Sequence, residues 1–376
     1  MDFHLYFKSR QGDMVHILKK MVALESPTGD KKAVDACSAF AVKELKRCGG
    51  RGVSYPQKHI GDLHLIEFAG ATARKDKKPL LVLTHIDTVW PVGKSARMPF
   101  YISGDKIHGP GVLDMKAGLV MAVSALGALR NLNLSPSQTI WILINSAEET
   151  GDPDAHAVIR KLARKASAVL CLEPAVPGGA LKMERKGRLV ARLDVQGRTA
   201  HAGSPEKGIN AVEELMHQLF RLRKLRTQGT TMNIGCAGGG DKANIVAGEA
   251  WAVLDFRFWK TRDKERIVET LKNLRPVLRR SKTKVSFEST TPPMEKTPGS
   301  LALLKRARKI AGEIGLTLKA GKSGGGSDAS IAAELGLPTL DGLGPDGDGI
   351  HAEHEHLLLS SLVERTALLT ELFLKL

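Results

Sequence analysis

PLLVLTHID (79–87) is the stretch that decides the fold. An unbroken apolar run gives way to Thr84, His85 and Asp87, without the alternation of a half-exposed strand. Such a run reads as a strand buried on both faces, as in a parallel sheet covered by helices. Two further segments have the same form, TIWILINSAEE (139–149) and AVLCLEP (168–174), and both turn acidic at their carboxyl ends. Between the three lie helical patterns at 115–132, which is rich in small residues, and at 153–165. Strands alternating with helices predict an α/β domain, a mostly parallel mixed sheet between helices. His85, Asp87, Glu148, Glu149 and Glu173 then all fall at strand carboxyl ends, the edge outside which open α/β sheets bind ligands.

Toward the amino terminus, apolar spacing predicts helices at 13–24 and 31–47 and a strand at LHLIEF (63–68). Toward the carboxyl terminus the pattern changes. RLVARLDVQ (188–196) alternates with period two, followed by a helix at 208–224, strands at 230–236 and 250–258, a helix at 262–280 and a strand at 283–289. This β-α-β-β-α-β order predicts a small α+β layer with helices on one sheet face. After Pro292, Pro293 and Pro298, the first pattern resumes: helix 300–314, glycine-rich loop 321–326, helix 328–335, strand 338–341, helix 358–374. The chain therefore divides into a catalytic domain (1–185 and 296–376) and an inserted lid domain (186–295).

The 376 residues, 42% hydrophobic and 26% charged, exclude collagen-like, disordered and disulfide-scaffold classes. No run of 18 apolar residues predicts a membrane span. MDFHLYFKSRQGD (1–13) lacks the apolar core and cleavage site of a secretory signal. Cys37, Cys48, Cys171 and Cys236 match no zinc or redox spacing and read as free thiols in a reducing cytoplasm. The net charge is +16, and residues 186–295 hold 21 basic against 12 acidic side chains. Without an aromatic-interleaved motif, this reads as a solvated basic surface rather than a nucleic-acid site.

The chemistry-bearing residues suit first-row divalent metals, which take imidazole and carboxylate ligands. His85-x-Asp87 places two such groups on one side of a strand end, one to ligate and one to orient it. Asp114 lies in GPGVLDMKAG, and Glu148 and Glu149 are neighbours whose side chains diverge, so that one ligates while the other faces bound water. Glu173 ends the third strand, and His351 lies in GDGIHAEHEH. Charged groups directly after apolar strands are costly unless paired or metal-bound.

THIDTV, GPGVLDMKAG, NSAEETG, LEP and GIHAEHE occur in the order and spacing of the di-zinc exopeptidase and deacylase family. The chain resembles that family along almost its whole length, including GRTAHAGSPEKGINAVEEL, ANIVAG and LDFRF, and most resembles its glutamate carboxypeptidase branch. Acetylornithine deacetylases, succinyl-diaminopimelate desuccinylases, aminoacylases and dipeptidases belong to it too. The resemblance implies two divalent metals, zinc first with manganese or cobalt as substitutes, bridged by Asp114. His85 and Glu173 complete one site, and Glu149 and His351 the other. It also implies a cis Asp114–Met115 peptide, Asp87 orienting His85, and Glu148 as general base. His201 resembles the histidine that reaches a partner subunit's active site, which implies a homodimer through the inserted domain with 230–236 as the candidate pairing edge. Asn244, Arg257 and the Ser323, Gly324, Gly325 loop resemble the groups that hold the substrate carboxylate; Asp255 is an alternative partner for Arg257. The family pattern picks His351 from the 351–356 cluster, leaving His354 and His356 as surface residues.

The implied activity is a cytoplasmic metallocarboxypeptidase that removes a C-terminal or N-acylated amino acid. TTPPM (290–294) lacks the arginine of glutamate-cleaving members, which keeps an N-acyl-amino-acid deacetylase as the alternative. A catalytically inactive metal-binding or nucleic-acid-associated protein is the reading from another class. It would lack Glu148 or a ligand, and every such position is filled.

Overall fold

The computed structural model describes residues 1–69 and 77–376. They form two compact units: Met1–Met183 with Lys296–Ser323 and Ser327–Leu376, and Glu184–Glu295 with Gly324–Gly326.

In the first unit, α1 (Phe3–Lys8), α2 (Gln11–Ala23) and α3 (Lys31–Arg47) lead into β1 (Arg51–Tyr55), β2 (Leu63–Phe68) and β3 (Leu80–His85). Next come β4 (Tyr101–Ser103), β5 (Lys106–His108), α4 (Ala117–Asn131), β6 (Ile140–Asn145), α5 (Pro153–Ala163), β7 (Ala168–Cys171) and β8 (Leu181–Arg185). The main sheet has the order β1-β2-β6-β3-β7-β14, where β14 is Thr339–Leu340. β3, β6, β7 and β14 run parallel, and β2 is antiparallel to β6. Every residue of β3 and β7 is buried, as an apolar run without alternation requires.

α4 packs through small residues. A Cβ on Gly118 would stand 2.5 Å from the Leu172 carbonyl oxygen, so glycine lets the helix approach the strand that leads to Glu173. The segment Val112–Asn131 is long and apolar enough to cross a bilayer, but 89% of its most apolar 18-residue stretch is buried within the protein; it is a core helix.

The second unit holds β9 (Gly187–Gln196), α6 (Ala211–Leu222), β10 (Thr230–Gly239), β11 (Glu249–Phe258), α7 (Thr261–Lys272) and β12 (Lys282–Thr291). Its antiparallel sheet has the order β10-β11-β9-β12, leaving β10 on an edge. Alternate residues of β9 and β11, among them Leu193, Leu254 and Phe256, pack against Leu215 of α6 and Ile267 of α7. α7 stops at Lys272 rather than near 280. Pro276 lies four residues beyond, lacks an N–H and restricts the residue before it. α6 starts at Ala211 because the Asn210 side chain accepts from Val212 N and Glu213 N.

The first unit resumes with α8 (Pro298–Glu313), β13 (Ala320–Ser323), α9 (Asp328–Ala333), β14, β15 (Gly347–Asp348), β16 (His356–Leu358) and α10 (Leu359–Lys375). Residues 321–323, read as part of a loop, belong to β13, which pairs with β8. A second sheet, β15-β16-β5-β4, is built from strands of two or three residues.

Candidate metal centre

His85 is the last residue of β3, and Asp87 lies two residues on. Glu148 and Glu149 lie in the turn after β6, and Glu173 lies two residues past β7. Asp114 sits in the kinked segment Val112–Lys116 before α4, followed by a cis Asp114–Met115 peptide. His351, at φ 60, lies in the loop between β15 and β16.

These residues converge. His85 Nε2 lies 3.2 Å from Asp114 Oδ1 and 3.4 Å from Glu173 Oε1. His351 Nε2 lies 3.4 Å from the other Asp114 oxygen and 3.1 Å from Glu149 Oε2. Asp114 thus faces one histidine with each carboxylate oxygen. Ligand atoms of His85, Asp114 and Glu149 form one close group, and those of His85, Glu148 and Glu173 another. Lys182 Nζ is 3.8 Å from Glu173.

Asp87, wholly buried, ties the parts together. Its Oδ1 lies 3.4 Å from His85 Nδ1, and its backbone oxygen 3.0 Å from the same nitrogen. The same carboxylate accepts from Glu148 N and Glu149 N, both at 3.2 Å, and from Thr28 Oγ1 at 2.7 Å. Asp87 therefore contacts the imidazole and fixes the acidic turn. Asn145 fixes that turn from the other side: its Oδ1 accepts from Ser146 N and Ala147 N, and its Nδ2 donates to Asp328 Oδ2 at 2.7 Å.

Sequence reasoning gave Glu355 no role of its own. Its buried carboxylate accepts from Gly111 N (2.9 Å), Leu113 N (2.9 Å), Asp114 N (3.1 Å) and Trp90 Nε1 (3.0 Å). It holds the turn that presents Asp114. Its place in GIHAEHE, four residues after His351, was the available signal.

The donor set fits divalent metal ions. Five carboxylates (Asp87, Asp114, Glu148, Glu149 and Glu173) gather around two imidazoles, the ligand chemistry that first-row divalent ions take. The charge balance agrees. Burial, then the charge of Glu173, pushes Glu148 well above the usual carboxylate range, and burial raises Glu149. Burial lifts Asp328 to about 7. His85 is raised well above 6.5 by Asp114, Asp87 and Glu173 against the opposing effect of burial. His351 is raised to about 10 by Asp114 and Glu149. Asp114 is lowered by both histidines, against burial.

These directions set a pH dependence for chelator-treated protein. His85 and His351 contribute stability that is complete below about 6.5 and lost as pH rises through their folded values. Glu148, Glu149 and Asp328 hold their protons more tightly in the fold than in the unfolded chain, which ionises from about pH 4, so they too subtract stability as pH rises. Asp114 acts oppositely, but its contribution is complete above its ordinary value of 3.8. The chelated protein is therefore expected to melt at lower temperature at pH 8 than at pH 5. Metal requires deprotonated ligands, so the gain in Tm on adding zinc should widen over the same interval. Scanning calorimetry with and without chelator measures both; a chelated Tm that climbs from pH 5 to 8 refutes the assignment.

The remaining candidates belong partly to the second unit. His201 is exposed, with Gly203 N donating to its Nδ1 at 3.0 Å. Asn244 is on a neighbouring loop, its backbone oxygen accepting from Ala202 N at 3.0 Å. Arg257 is engaged by the alternative partner: its Nε donates to Asp255 Oδ1 at 2.7 Å, and Arg188 binds the other Asp255 oxygen at 2.7 Å. Ser323 ends β13, while Gly324 and Gly325 belong to the second unit, where Arg185 Nη1 donates to the Gly325 and Gly326 carbonyls at 3.3 and 2.7 Å.

A parallel sheet with imidazoles and carboxylates gathered at its carboxyl edge, and an α+β insertion, defines a metallohydrolase class. Residues 81–375 match the profile of peptidase family M20/M25/M40, and the chain belongs to that family of metallo-hydrolases. It is 29% identical to carboxypeptidase G2 of Pseudomonas sp. (strain RS-16) over 374 residues, 97% of this chain and 90% of that protein. It is 28% identical to a succinyl-diaminopimelate desuccinylase of Delftia acidovorans over 308 residues, 76% of this chain and 78% of that one. Its fold matches aminopeptidase PepT from Bacillus cereus ATCC 10987 with a TM-score of 0.78 at 22% identity, covering 96% and 98% of the two chains.

Proposed function

We propose that this chain is an exo-acting metallocarboxypeptidase that releases a C-terminal or N-acylated amino acid, with Glu148 as general base. The observation that carries the reading is Asp114 facing His85 with one oxygen and His351 with the other, at 3.2 and 3.4 Å. That geometry suits a carboxylate shared by two cations. His85 and Glu173 would hold one, Glu149 and His351 the other, and Asp87 would orient His85. Zinc is the first choice, manganese or cobalt a substitute. Bound there, the cations supply Lewis-acid polarisation of the scissile carbonyl and a water of lowered pKa.

The residues do the rest. Glu148, held above the ordinary carboxylate range by burial and by Glu173, takes the proton from the attacking water. It then delivers that proton to the nitrogen of the leaving amine, serving as base and then acid. In this reading His201 stabilises the oxyanion from the partner of a homodimer that pairs through β10. Asn244, Arg257 and the Ser323, Gly324, Gly325 loop bind the free carboxylate, for which Arg257 would have to exchange Asp255 for substrate. The setting is cytoplasmic.

Similarity to a desuccinylase over 308 residues favours a second reading, an N-acyl-amino-acid deacetylase with the same centre. Hydrolysis of N-acetyl amino acids, dipeptides ending in glutamate and a folyl-glutamate analogue, before and after metal stripping and re-addition, separates the two. Metal-dependent release of glutamate from the peptides is the expected result. Preference for N-acetyl substrates would select the deacetylase, and absence of metal-dependent turnover on the whole panel would overturn both.

A further inference from the structure

The histidines of 351–356 do not all serve the Asp114 cluster. His356 of β16 stands directly opposite His108 of β5, His108 stands opposite Tyr101 of β4, and Asp348 of β15 stands opposite His356 on its other side. Residues directly opposed across antiparallel strands share a face. Tyr101, His108, His356 and Asp348 therefore form one row across the four-stranded sheet.

The two imidazoles have the spacing of a chelating pair. Their ring centroids are 5.2 Å apart. Two imidazoles sharing a tetrahedral ion at about 2.0–2.1 Å place their centroids roughly 5 Å apart. Tyr101 stacks on the His108 ring, centroids 4.4 Å apart and planes within 4°, and holds it in place. His356 Nδ1 lies 3.0 Å from the His354 carbonyl oxygen. A carbonyl can only accept, so Nδ1 carries a proton and Nε2 is the nitrogen left to ligate. Ligating histidines are oriented in this way, by donating their other ring N–H to a carbonyl or carboxylate. Burial, then His356 and Lys106, holds His108 below its ordinary value, which favours the neutral, ligating form.

We propose that His108 and His356 form a further metal site, separate from the Asp114 cluster. Its ligand is a first-row divalent ion that favours imidazole, copper(II) foremost and zinc next. β15 and β16 bracket the loop that carries His351 and Glu355, so an ion tying β16 to β5 clamps the base of that loop.

The test is titration of zinc-loaded full-length protein with copper(II) chloride, followed by desalting, metal counting and electron paramagnetic resonance. The wild type should take up copper with a spectrum split by two imidazole nitrogens. His108→Gln and His356→Gln should each bind one copper fewer per chain and lose that splitting, with zinc content and far-ultraviolet circular dichroism unchanged. His354→Gln, which removes no atom of the proposed site, should keep the splitting. The same copper count and spectrum in His108→Gln or His356→Gln, loss of the signal in His354→Gln, or entry of copper only by displacement of zinc would overturn the site.

Discussion

Replacing Glu148 by Gln is expected to lower kcat by about 10²–10⁴-fold, the range over which a positioned base acts, while KM and the bound-metal count stay near wild type. The amide keeps the size and the hydrogen-bonding reach of the carboxylate but cannot take a proton. The split between kcat and metal content is the informative part, because Glu148 also falls in a close group with His85 and Glu173 that could hold an ion. If Glu148 ligates metal, the Gln variant loses an equivalent and kcat falls for that reason. Its neighbour Glu149, 3.1 Å from His351, supplies the contrast. Glu149→Gln should lose one metal per chain together with activity. Metal analysis of the two variants beside steady-state kinetics decides between base and ligand. Equal metal loss in both would remove Glu148 from the proton-transfer role.

The parts of this fold legible in the sequence were those whose burial is uniform or strictly periodic. β3, β6 and β7 could be read because both faces are covered, and β9 and β11 because one face is. The β15-β16-β5-β4 sheet could not, since a strand of two or three residues has no period to detect. Helix α1 went unread for a similar reason: six residues, two of them buried, carry little periodicity. Site residues followed the same logic at a different scale. His85 and Asp87 announced themselves as polar groups closing an apolar run. The Asp255–Arg257 pair was visible as a two-residue spacing on one strand face, and the structure forms it.

Glu355 was the least legible, because its significance depends on donors more than 240 positions away in the chain. It carries the second large prediction. Glu355→Ala removes the acceptor for three backbone N–H groups and the Trp90 indole at a position only 1% exposed. A buried donor left unpaired costs about 1–3 kcal/mol, so with partial rescue by water the loss of folding stability should be on the order of 3–5 kcal/mol. Glu355→Gln keeps one acceptor oxygen, but turns an NH₂ toward donors. It should fold, and should weaken metal binding or activity by about 10–100-fold, the usual effect of losing a group that orients metal ligands. The distinction from a merely structural carboxylate lies in the metal. If Glu355 acts by presenting Asp114, excess zinc should restore much of the activity of the Gln variant by mass action, and its Tm should recover with the same zinc dependence. A Gln variant with wild-type zinc affinity and reduced Tm would place Glu355 in the scaffold alone, and the orientation of Asp114 would then rest on the 111–116 backbone.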